Sequence, residues 1–123
     1  MELGATIYVT NRQGFRNWLE KNGASAEEIW LVIFKVASGA ETMTNEEAIE
    51  EAICFGWMED QKKSIDSVKY AQRFTPRKPK SNWTEINQAR ARKLFTEGKM
   101  TEAGLATLPV DFSHEGKKGF GEE

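Results

Sequence analysis

Residues 57–76 read WMEDQKKSIDSVKYAQRFTP, and their character alternates at every second position. Trp57, Glu59, Gln61 and Lys63 interleave with Met58, Asp60 and Lys62; beyond Asp66 and Ser67, Tyr70, Gln72 and Phe74 interleave with Ala71 and Arg73. Two period-two runs joined by a short polar turn predict an antiparallel hairpin with strands over 57–64 and 69–75. Pro76 and Pro79 lack backbone donors and hold the chain extended, so the second strand ends there and a rigid loop follows.

Upstream, 28–36 (EIWLVIFKV) is an unbroken apolar run rich in β-branched and aromatic residues, the pattern of a strand covered on both faces. Before it, Thr10 or Asn11 caps a helix through Lys21 that carries Phe15, Trp18 and Leu19 on one stripe, with Gly23 closing it in a left-handed turn. Thr44-Asn45-Glu46-Glu47 is a capping box that opens a second helix. Its buried stripe is Ala48, Ile49, Ala52 and Ile53, Glu46, Glu47, Glu50 and Glu51 are expected to face water, and Gly56 stops it. Downstream, Ser81, Asn82 or Thr84 caps a third helix over 83–97, with Ile86, Ala89, the Lys93 stem and Leu94 on one face and Gly98 at its end. Thr101 caps a fourth over 102–108. The expected architecture is a single α+β domain over 1–109, with an antiparallel sheet of about three strands and about four helices. A polar, Gly-rich tail follows over 110–123.

With 123 residues there is room for one core. The composition, 39% hydrophobic and 29% charged with 3 Pro and 10 Gly, excludes wholesale disorder and collagen-like repeats. The longest apolar run, IWLVIF at 29–34, is far short of the roughly 20 residues of a spanning helix, so no membrane insertion is expected. One cysteine, Cys54, allows no internal disulfide, and one histidine, His114, assembles no familiar His/Cys zinc site. No cofactor is expected. The first ten residues lack a secretory signal, which with the free thiol points to the cytoplasm.

The net charge of -2 conceals a polarised chain. Residues 1–60 hold 4 Lys/Arg against 11 Asp/Glu, and residues 61–123 hold 13 against 8. The surplus is sharpest over 61–93, where ten bases oppose Asp66 and Glu85. Such a segment attracts an anion. It also has the composition for neutralising and stacking on single-stranded nucleic acid, although the sequence pI of 5.6 argues against that. Alternatively, the two halves dock on each other, within the fold or between two copies in a homodimer.

Several motifs combine in order: Cys54-Phe55-Gly56-Trp57, Arg73-Phe74-Thr75-Pro76-Arg77, Ser81-x-Trp83, Asn87, and Gly98-x-Met100-x-x-x-Gly104. From about Tyr8 to Ala106 the chain resembles the YdeI/OmpD-associated family, also labelled bacteriocin-protection proteins. The resemblance implies a small bacterial or archaeal domain of mixed helix and antiparallel sheet with a stress-associated role, and it brings no established reaction. Where that family carries Asp followed by Gly after Phe-Gly-Trp, this chain has Glu59 and Asp60.

The candidate ligand-binding residues are Arg73, Arg77, Ser81, Trp83, Trp57, Glu59 and Asn87. Arg73 and Arg77 offer forked donors matched to phosphate or carboxylate, and Ser81 and the first amides of the following helix add more. The bland alternative pairs Arg73 with Glu59 across the hairpin, solvates Arg77, spends Ser81 on the helix cap and buries Trp83 in the core. Glu59 and Asp60 are adjacent on a strand and point to opposite faces, so they form no acid–base pair. Cys54, at the end of a helix, reads as a small buried hydrophobe. The sequence therefore favours a non-catalytic accessory domain that binds a small anion or an acidic group of a protein partner. Its rivals are an enzyme using Glu59 beside Arg73 and a single-stranded nucleic-acid binder.

Overall fold

A computed structural model describes residues 3–78, 81–109 and 112. The chain folds as one α+β domain, with four strands and four α-helices among the described residues: β1 Thr6–Tyr8, α1 Arg12–Asn22, β2 Ile29–Phe34, α2 Asn45–Cys54, β3 Trp57–Ser64, β4 Lys69–Pro76, α3 Glu85–Thr96 and α4 Glu102–Leu105. No helix among them is long and apolar enough to cross a membrane. Of the tail over 110–123 only Phe112 is described; its other residues, His114 among them, lie outside the described residues.

The sheet order is β1-β2-β4-β3. The expectation of three antiparallel strands is corrected here, because β1 pairs parallel with β2 and makes the sheet mixed. Strand β1 has three residues at an edge, too few to display a period, and the helix that follows it supplies the crossover that a parallel pair needs. The hairpin forms as read, and β4 continues one residue further, through Pro76. Asp66 Oδ1 closes its turn by accepting the amides of Val68 and Lys69.

A bulge shifts the register between Glu59 and Lys62, so that Glu59 lies opposite Phe74 and Lys62 opposite Gln72. Trp57, Glu59 and Phe74 therefore share the face on which the helices pack. The core there joins Phe15 and Leu19 of α1, Ile29, Leu31 and Ile33 of β2, Ala48, Ala52 and Ile53 of α2, Trp57, Phe74, and Ala91 and Leu94 of α3. Arg73, opposite Trp30, projects to the other face.

Asn11 caps α1 by accepting from the Gly14 amide, but Gly23 sits at φ −62°, in the right-handed region and not the left-handed one expected. The capping box of α2 is complete. Glu50 and Glu51, expected to face water, are 4% and 3% exposed. Helices α1 and α3 flank α2 and bring cations onto them: Arg12 bonds both carboxylates, Arg16 bonds Glu51, and Lys93 bonds Glu50. Helix α3 starts later than expected, with Thr84 as its cap, and Ile86 and Ala89 are exposed because the helix turns Ala91 and Leu94 inward. Helix α4 stops at Leu105 and seats on the end of α2. The Thr101 amide and hydroxyl both donate to Cys54 O, at 3.0 and 2.6 Å, and Cys54 is buried as expected.

Candidate functional site

The site forms where β4 leaves the sheet. Pro76 is paired opposite Trp57 at the end of the hairpin, and the next amide, that of Arg77, donates to Gly56 O at 2.8 Å. This bond fixes Arg77 beside the α2–β3 corner, where Gly56 adopts φ +78°. The Arg77 side chain turns inward and is only 8% exposed. Its guanidinium carbon lies 3.9 Å from the centre of the Trp83 ring, a desolvated cation–π contact. Nη1 donates to Ser81 Oγ at 3.0 Å and to Asn82 O at 3.1 Å. Trp83 is itself held, its indole N–H donating to Thr107 O and its carbonyl accepting from the Gln88 side chain.

Arg77 meets no acid among the described residues, and its Nε is buried without a hydrogen-bond partner. Burial lowers its pKa below the ordinary arginine value, with no carboxylate to oppose the shift. The group nevertheless stays cationic, because arginine does not lose its proton in proteins.

Arg73 is placed differently. Its Nε lies 2.6 Å from Glu28 and its Nη1 2.5 Å from Asp60, and these bonds raise its pKa. The expected partner was Glu59, and the strand register explains the correction: Glu59 pairs with Phe74, so alternation sets Asp60 on Arg73's face and leaves Glu59 on the opposite one. The pairing of Glu59 with Arg73 on which an enzymatic reading relied is thereby removed.

Two cavities meet at Arg77. The larger, of about 850 Å³, is lined by Ala26, Glu27, Met58, Asp60, Arg73, Thr75, Pro76, Arg77, Lys78 and Ser81. The smaller, of about 210 Å³, is lined by Ile49, Ile53, Met58, Glu59, Arg77, Asn82, Thr84 and Asn87. The structure thus brings Arg73, Arg77 and Ser81 to one cavity, with Trp83 against Arg77, and places Glu59 and Asn87 at the other. Asn87 is partly engaged, its Oδ1 accepting from Arg90 at 2.8 Å. Trp57 belongs to neither: it is 1% exposed, packs in the core and spends its indole N–H on Gly23 O, so its place in the candidate set is corrected.

Sequence reading missed Met58, which lines both cavities, and Glu28, which occupies Arg73. Met58 reads as an ordinary strand residue. Glu28 is 45 residues from Arg73, and only the β2–β4 register brings them together. Among the described residues, no group of three His, Cys, Asp or Glu side chains could hold a metal ion.

The charge polarity of the chain is partly spent internally. Arg90 bonds Glu46, Lys93 bonds Glu50 and Arg73 bonds Glu28, so bases of the second half dock on acids of the first. Lys62 and Lys63 lie over the Tyr70 and Trp30 rings.

A family model described as a domain of unknown function, DUF8412, matches residues 7–107. No curated protein and no solved structure matches the chain.

Proposed function

Because the chain belongs to the DUF8412 family, a domain of unknown function, we propose the reading that its own site supports best: a non-catalytic binding domain that holds a small anion or an acidic group of a partner on Arg77. One observation carries this reading. Arg77 is a buried guanidinium, stacked on Trp83 and opening onto a cavity, with no carboxylate bonded to it among the described residues. Leaving a charge buried and unpaired costs several kcal/mol, roughly 3–5 kcal/mol when a partner is removed from a buried pair. A ligand that supplies the missing charge recovers part of that cost and so stabilises the folded state. The stress-associated accessory role implied by the resemblance to the YdeI/OmpD-associated proteins is part of the proposal. So is a cytoplasmic setting, which fits the unpaired Cys54 thiol.

Thermal unfolding in acetate, phosphate or sulfate, against chloride at matched ionic strength, tests it. The anion-dependent rise in Tm is expected to vanish in Arg77→Gln and to persist in Arg73→Gln, whose guanidinium already has two carboxylates. Circular dichroism at low temperature verifies that each variant folds. An undiminished rise in a folded Arg77→Gln variant contradicts the reading.

A further inference from the structure

Resting on the anion reading of Arg77, we infer that the larger cavity takes a monocarboxylate with an apolar body, the carboxylate on Arg77 and Ser81 and the body along Met58 and Pro76 toward Ala26.

Charge sets the first limit. Arg73, Arg77 and Lys78 line this cavity together with the acids Glu27 and Asp60. Arg73 is already neutralised by Asp60 and by Glu28. What remains is the buried guanidinium, together with the exposed Lys78 and with Glu27, whose opposite charges offset. A single negative charge is compensated there, whereas a nucleotide or oligophosphate would set its further charges against Asp60 and Glu27.

Hydrogen bonding sets the second. Ser81 Oγ accepts from Arg77 Nη1, so its own proton remains to be donated. Arg77 Nε is closed off from solvent, and Nη2 has no acceptor among the described residues. A carboxylate, a small planar two-oxygen group, can accept from Nη2 with one oxygen and from the Ser81 hydroxyl with the other.

The walls set the third. Besides its charged residues the cavity is lined by Met58, Pro76, Thr75 and Ala26. Methionine adapts to an irregular apolar partner. A volume of about 850 Å³ far exceeds what acetate or phosphate fills, and lies in the range of small-molecule sites.

Isothermal titration calorimetry with potassium butyrate, hexanoate and octanoate, and with octanamide and inorganic phosphate as comparisons, decides the matter. Affinity is expected to rise with each added methylene, by up to about fourfold. Octanamide, of the same length without the charge, is expected to bind at least tenfold more weakly than octanoate, and phosphate more weakly than hexanoate. Met58→Gln, a substitution in the wall, is expected to flatten the chain-length series. The wild-type series stands even if a variant fails to fold. Affinities independent of chain length, or phosphate binding as tightly as octanoate, overturn this inference and leave the anion reading intact. Absence of binding by every anion overturns both.

Discussion

Arg73 and Arg77 are four residues apart and carry the same side chain, yet their surroundings give them different chemistry. Arg73 points from β4 across the sheet face, where Glu28 and Asp60 occupy it. Arg77 lies just past Pro76, and its contacts are a ring, a hydroxyl and a carbonyl. Both arginines were legible in the sequence as a basic pair around a proline. Which one is free was not, because the answer depends on the β3–β4 register and on a carboxylate 45 positions away. Gly104 shows a contact of another kind. A Cβ built on it would fall 2.3 Å from Cys54 O, a backbone atom that cannot move aside. Gly104→Ala is therefore expected to lower stability by about 2 kcal/mol or more in urea unfolding, by forcing α4 off the end of α2. A loss below 0.5 kcal/mol on the same order-of-magnitude scale would mean that α4 shifts freely and does not brace the corner that holds Arg77.

At the scale of elements, α2 is the hub. Its start was legible, since Thr44 and Glu47 satisfy each other's backbone donors locally. Its outer face was not, because helical periodicity assigns Glu50 and Glu51 to solvent and is blind to cations on α1 and α3, more than 30 residues away. Burial pushes the Glu50 carboxyl up, but the bonds from Lys93 and Arg12 outweigh it and hold its pKa below the usual glutamate value. A carboxylate whose folded pKa is depressed contributes stability that is present above its unfolded pKa, about 4.3, and lost as pH falls through the folded value. Wild type is thus expected to exceed Glu50→Gln in stability at pH 7 by about 1–2 kcal/mol, a figure kept modest because Arg12 and Lys93 are partly exposed. Unfolding followed between pH 7 and pH 3 should show that gap closing below about pH 4. A constant gap would show that the carboxylate charge is not what ties the three helices together.

For the whole molecule, the α+β class and the hairpin could be read from the switch between the 3.6-residue and two-residue periods. Strand β1 could not, since Thr6–Tyr8 earns its pairing only by lying beside β2 after the α1 crossover. The charge asymmetry was visible, and the structure answers it with docking inside the chain, through Arg90–Glu46, Lys93–Glu50 and Arg73–Glu28. Against that pairing Arg77 stands out, and the functional reading depends on it. The most direct measurement is an NMR titration that observes the arginine Nε–Hε resonances while potassium octanoate is added, with potassium chloride as the control. The Arg77 resonance, assigned by its loss in Arg77→Gln, should shift and saturate with octanoate while that of Arg73 stays in place. An Arg77 resonance that does not move, or that follows chloride equally, would contradict the account.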